Sequence, residues 1–325
     1  MLAEVKYFII VVMTLIVLLQ SCKETHSPTE PNPEDLGYFR SVYFLNADTG
    51  WVVGKFGLIL KTTDGGMSWN PQYSGTSNYL RSIHFIDDKI AWAVGWFGTI
   101  LMTTNGGLEW NHQTSGIPSN LYSTFFINDK AGWAVGGNGV ILRTIDGGNN
   151  WLIQIYHTTP WFQSVCFLNP DTGWVVGGNP DGKDGIILRT DDGGASWDSY
   201  NIFTNSMTSV YFTNDDTGWI VGYAGIIYKT TDGGASWHEQ TSNTIYTLLS
   251  VYFIDSQTGW AVGEVGEILK TTNGGINWIT QESGIKWNLG CVYFYDDQIG
   301  WAVGYKSHIL KTSDGGTNWM KLHSE

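Results

Sequence analysis

Residues 61–69 read KTTDGGMSW. Alone, the run suggests a small reactive site: an acid after two threonines, two glycines, and a closing tryptophan. It does not stand alone. The pattern returns as Asp64…Trp69, Asn105…Trp110, Asp146…Trp151, Asp192…Trp197, Asp232…Trp237, Asn273…Trp278 and Asp314…Trp319, with tryptophan spacings of 41, 41, 46, 40, 41 and 41. A fixed period near forty residues is the signature of a repeat architecture. Two more motifs keep the same phase. A Gly/Ala-Trp-x-Val-Gly run begins at Gly50, Ala91, Gly132, Gly173, Gly218, Gly259 and Gly300. Before each stands a run ending in phenylalanine: SVYF, SIHF, STFF, SVCF, SVYF, SVYF and CVYF.

Each unit reads as four short strands. In the first unit these are FRSVYFLN, GWVVG, GLILKTT and SWNPQY, joined by ADT, KF and DGG. The first and third strands are apolar on both faces, so both faces must be covered. Four-stranded antiparallel sheets at this period predict an all-β fold of stacked propeller blades. Seven units predict a seven-bladed β-propeller over residues 36–325. The chain enters at the first strand of the first unit and leaves at the fourth strand of the last. No strand is left over to complete a split blade, so closure is expected to rest on packing of blade 1 against blade 7. The segment near Leu36 is a candidate additional edge strand.

Composition agrees. The 325 residues are 42% hydrophobic and 14% aromatic, with 41 glycines, 17 tryptophans and only 14% charged residues. That favours short strands and tight turns over helices. A net charge of −13 with 17 Lys+Arg and no basic run argues against a nucleic-acid partner.

The N-terminus reads differently. YFIIVVMTLIVLL, residues 7–19, follows Lys6 and is too short for a comfortable membrane span. It suits a signal peptide over residues 1–21. Leu19-Gln20-Ser21-Cys22 resembles a bacterial lipobox, which implies that Cys22 is lipidated and becomes the mature N-terminus. Residues 22–35 are rich in proline and acids and read as a disordered tether. The expected location is extracytoplasmic, on a bacterial membrane, with the outer membrane favoured. Cys166 and Cys291 occupy non-equivalent positions in distant repeats, so no disulfide between them is expected.

Thr62-x-Asp64-x-Gly66-x-Ser68-Trp69 resembles the Asp-box, or BNR repeat, of sialidases and sortilin-like receptors. The full unit, with Gly-Trp-x-Val-Gly ahead of ILKTTDGGxSW, resembles the photosystem II stability/assembly factor family. That resemblance implies a seven-bladed propeller, lipoprotein members, and a role in assembly or scaffolding. It also implies an arginine patch at the start of the first strand that meets the partner. Here those positions hold Arg40, Arg81, Tyr122, Gln163, Thr208, Leu249 and Gly290, so two match.

The residues themselves give Asp64, Asn105, Asp146, Asp192, Asp232, Asn273 and Asp314 a structural role. An Asp or Asn at a tight turn can accept backbone N–H bonds ahead of it. Asparagine serves as that acceptor but not as a general base. A sialidase would need an arginine triad and a tyrosine–glutamate pair. Arg143 and Arg189 fall at a repeat position otherwise held by lysines such as Lys61 and Lys229, which leaves only Arg40 and Arg81. Glu264 and Glu267 are the carboxylate pair worth testing. No catalytic residue is assigned, and no cofactor is expected. The histidines are scattered, and Asn179, Asp181 and Asp184 read as a solvated loop, so no metal site is assigned.

Function is sought in what repetition leaves over. Fourteen of the 17 tryptophans belong to the two tryptophan motifs. The others, Trp96, Trp161 and Trp287, all fall in connections that share one face of the propeller. Phe97, Tyr223 and Tyr305 fall there too, as do Arg40 and Arg81. The opposite face carries the Asp-boxes and acids such as Asp48, Asp87 and Asp296. The aromatic, mildly basic face is the expected binding surface. A protein is the expected partner. The alternative is a glycan-binding or sialidase-like propeller that stacks sugars on the same rings.

Overall fold

The computed structural model describes residues 37–155 and 159–323. The expected leader, the tether, Cys22 and Leu36 lie outside the described residues. Among those described, the strands form seven four-stranded antiparallel sheets, each in plain sequence order. Blade 1 consists of Phe39–Phe44, Gly50–Gly54, Ile59–Thr62 and Asn70–Gln72. The fold class read from the repeat is the one observed: a seven-bladed β-propeller.

Three kinds of contact recur between neighbouring blades, and each uses a repeated residue. The buried tryptophan of the second strand stacks on the phenylalanine that ends the next blade's first strand. Trp92 lies 3.5 Å from Phe126 between ring centroids, and Trp260 lies 3.4 Å from Phe294. Such a stack adds roughly 0.5–1.5 kcal/mol beyond the area it buries. At five junctions, from Trp92, Trp133, Trp219, Trp260 and Trp301, the indole N–H then reaches the first Asp-box glycine of that next blade, as from Trp92 Nε1 to the Gly147 carbonyl at 3.2 Å. The third contact is on the inner strand. Ser41, Ser82, Ser123, Ser164, Ser209 and Ser250 each accept the N–H of a residue on the following inner strand.

The ends of the chain meet through the same contacts. Phe44 stacks on Trp301 at 3.5 Å, and Trp301 Nε1 donates to the Gly65 carbonyl at 3.1 Å. Blades 1 and 7 each hold four strands of their own, so closure is by packing. Among the described residues before blade 1, Tyr38 adds a single antiparallel bridge, to Tyr305. Lys306 N–H donates to the Gly37 carbonyl beside it. The serine ring is interrupted at this seam, where Cys291 takes the seventh position. Cys291 and Cys166 are both free.

Two local expectations need correction. The KF link is a one-turn 3-10 helix, Lys55–Gly57, with Phe56 left-handed at φ 58°. The outer strands are short except in blade 4, where Lys183–Thr190 and Asp198–Asn205 make a long hairpin. The inserted residues of NPDGKDG thus extend a strand rather than a free loop. Asn179 Nδ2 donates to Asp184 Oδ2 at 2.7 Å, and Lys183 N–H donates to Asp181. Among the described residues no three His, Cys, Asp or Glu side chains gather as a metal site.

Candidate functional site at the mouth of the channel

The two faces are built by different turns. On one, the Asp-box closes the third-to-fourth turn. Asp64 Oδ1 accepts the Thr62 hydroxyl at 2.8 Å and the Ser68 N–H at 2.9 Å, while Gly66 N–H donates to Thr62 Oγ1. Gly65 and Gly66 stand at φ 71° and 94°, which an L side chain resists. Asn105 and Asn273 accept the equivalent N–H bonds, from Glu109 and Asn277. These hydrogen bonds favour the carboxylate and pull Asp64 and Asp232 down to about 2. Gly65 N–H donates to the Asp48 carbonyl, tying this turn to the first-to-second turn of its blade. Several of the acids on this face are themselves turn staples. Asp87 and Asp296 each accept two backbone N–H groups ahead of them.

The third-strand cations also belong to this end. Lys61 lies over Trp51 and donates to the Gly106 carbonyl of the next blade at 3.0 Å. Arg189 lies over Trp174 and pairs with Asp191 at 2.6 Å. A Cβ on Gly193 would stand 3.1 Å from Arg143 Nη2, so Arg143 faces the next blade's Asp-box. Just inside this face, partly buried rings on the inner strands contact one another. Tyr211 and Tyr252 lie 4.9 Å apart, Tyr252 and Tyr293 5.1 Å, and His84 and Phe125 4.7 Å. Burial holds the His84 imidazole neutral, down to about 4.

The other face opens into a cavity of about 350 Å3 at the start of the inner strands. Arg40, Arg81, Trp96, Trp161 and Tyr223 line it together. Each is placed by its blade. Arg40 reaches across the closing seam and donates from Nη1 to the Gly290 carbonyl. Gly290 leaves the room for it, since a Cβ there would stand 3.0 Å from Arg40 Nη1. Arg81 lies between two tyrosines, its guanidinium 4.9 Å from the Tyr122 ring centroid and 5.6 Å from that of Tyr79. Burial and the nearby Arg40 pull it down to about 10, so it stays charged at neutral pH. Among the described residues neither arginine has an acidic partner within 4.0 Å.

The remaining candidates stand outside the lining. Tyr305 lies 5.5 Å from Tyr38, and Trp287 lies 5.4 Å from Tyr305 under Lys306. With Tyr79 and Trp96 they form a row of ring contacts running from the cavity across the seam. Phe97 is 66% exposed and touches the row only through Trp96. Glu264 and Glu267 do not form a pair in one cavity. Glu264 lines the mouth, whereas Glu267 lines a separate hollow with Lys286.

Asn120 and Asn288 were not singled out from the sequence. They hold the mouth turns by accepting the N–H of Phe97 and Val265, which lie at φ 56° and 52°. The signal was there: both asparagines precede a leucine at one repeat position.

No curated protein matches the chain in sequence. Solved structures share the fold. A structure of YCF48 bound to D1 peptide is 20% identical, with a TM-score of 0.70 over 86% of this chain and 94% of that one. YCF48 from Cyanidioschyzon merolae is 22% identical, with a TM-score of 0.70 over 87% and 97%. A GH74 xyloglucanase from Xanthomonas campestris is 12% identical, with a TM-score of 0.71, and this chain spans 55% of it. The family model described as photosynthesis system II assembly factor YCF48 matches residues 70–145, 146–244 and 239–325. Those segments cover most of the chain, and it belongs to that family.

Proposed function

We propose that the chain is a non-catalytic protein-binding propeller, an assembly factor or scaffold, and that its mouth takes a peptide segment of a client protein. One observation carries this reading. Two guanidinium groups, on blades 1 and 2, face an aromatic cavity, and among the described residues neither has a carboxylate within 4.0 Å. An anionic group on an incoming segment supplies the missing partner, and a charge-assisted bond to arginine is stronger than a neutral one. The neighbouring rings supply apolar contact of the kind that anchors interfaces. The structure of YCF48 with a D1 peptide supports a peptide ligand for this fold.

The non-catalytic reading rests on the placement of charge. Arg143 and Arg189 serve the Asp-box face, so no arginine triad meets at the mouth. Glu264 and Glu267 face different cavities, so no carboxylate pair is assembled. The exposed rings of Trp96, Tyr305 and Trp287 favour one alternative, a carbohydrate stacked on them. The proposed setting is extracytoplasmic, with Cys22 carrying lipid.

The test is a crosslinking pull-down of the full chain, run with wild type and with Arg40→Ala/Arg81→Gln. A client captured by wild type and lost from the variant is the expected result. Capture unaffected by the variant removes the mouth from the function. Binding on a glycan array, or turnover of a glycoside, establishes the alternative. Cys22→Ser is expected to move the protein from the membrane to the soluble fraction; continued membrane association excludes the lipid anchor.

A further inference from the structure

Among the described residues lining the mouth, Glu264 is the only acid. It opens the second-to-third turn of blade 6, Glu264–Gly266. Its backbone N–H donates to the Thr247 carbonyl at 2.9 Å, and its Oε2 accepts the Thr247 N–H at 3.0 Å. The backbone link does not need the carboxylate. Lys55, Trp96, Tyr223 and Tyr305 make the same backbone bond in their own blades with no acid at that position. What the carboxylate adds to this turn is the bond from the Thr247 N–H, which the turn itself does not require. Nor is it a counter-ion, because no arginine lies within 4.0 Å of it among the described residues. In a site that attracted only anions, a carboxylate without a cationic partner would weaken binding.

The mouth thus holds two cations on blades 1 and 2 and one anion on blade 6, each tied to its own blade or seam and not to the others. The Val265 turn beside Glu264 is fixed by Asn288, so the carboxylate is held in place before a ligand arrives. We infer that Glu264 is a specificity-determining residue: it selects client segments that carry a lysine or arginine at a set distance from the anionic group held by Arg40 and Arg81. This rests on the mouth being the peptide site. The charge pattern would fix the direction in which the segment lies, as complementary charges fix register at interfaces.

Fluorescein-labelled ten-residue Gly/Ser peptides test it by fluorescence polarisation with the full chain. Each carries two acidic residues at one end and a lysine one to five positions away, with a glutamine peptide matched to each. At least one lysine register is expected to bind about tenfold tighter than its glutamine match, the scale of a charge-assisted hydrogen bond. Glu264→Gln keeps an acceptor for Thr247 and is expected to erase that difference. Glu264→Lys is expected to invert it, favouring glutamate in the same register. Melting curves confirm that both variants fold. If the peptides bind through the arginines but lysine and glutamine bind alike in every register, the role of Glu264 is overturned and the mouth reading stands. If no peptide binds, both fail together.

Discussion

Gly290 lacks a Cβ at a position where one would crowd Arg40. A Cβ there would stand 3.0 Å from Arg40 Nη1, closer than ordinary contact, and that nitrogen donates to the Gly290 carbonyl. Gly290→Ala is expected to displace the guanidinium and weaken acidic-peptide binding about tenfold, while changing the melting temperature by only a few degrees. Unchanged binding in a polarisation assay would separate Arg40 from the site. Arg40 and Arg81 were legible in the sequence because repetition does not explain them. Gly290 was visible there only as a failure to match. Its use appears once blade 7 is beside blade 1. Trp287 and Tyr305 were placed on the correct face, but a face is not a cavity. Whether a ring points into the mouth or along the rim depends on how its turn packs on its neighbours.

The Asp-box shows its energetics at the scale of the turn. Asp64, Asp146, Asp192, Asp232 and Asp314 all sit below the usual carboxylate range because N–H and O–H groups bond to the charged form. A lowered folded pKa contributes stability that is complete above the unfolded value near 4 and is lost as pH falls toward about 2. Melting temperature should therefore fall modestly between roughly pH 4 and pH 2, since solvent screens these exposed groups. Replacing the five aspartates by asparagine, already native at Asn105 and Asn273, should flatten that slope. An unchanged slope would place the acid sensitivity elsewhere. The mouth turns carry a different signature. Val265 is β-branched and left-handed at φ 52°, which an L side chain adopts at a cost of roughly 1–2 kcal/mol. Val265→Gly is expected to stabilise the protein by about 1 kcal/mol in denaturant titration. Destabilisation would mean that the valine side chain contributes more contact than strain.

Across the molecule, the ring closes without sharing a strand between its ends. The closing contacts, Phe44 on Trp301 and Trp301 to Gly65, repeat those at the internal junctions. Trp301→Leu and Phe44→Leu should each cost about 2–4 kcal/mol, and the pair should be non-additive by about 1 kcal/mol. The same cycle at Trp92 and Phe126 should give similar values. A much smaller coupling at the closing seam would show that the ring is held mainly by its other contacts. The seam also bears on the site. Arg40 on blade 1 is held by blade 7, and the row of rings through Tyr38 and Tyr305 crosses the same junction. Ligand binding and ring closure therefore share residues.

KTTDGGMSW is a turn that also forms a junction, since its first glycine receives the indole of the blade before it. Period and motif were enough to establish the number of blades, their phase and the two unlike faces. Those properties follow from local turn chemistry and from apolar patterning repeated seven times. Which leftover residues meet depends on the closing of the ring. Arg40, Arg81 and Glu264 belong to blades 1, 2 and 6, and no spacing along the chain brings them together. They share one cavity because seven sheets of nearly equal width close into a ring, which puts the start of every inner strand at its centre.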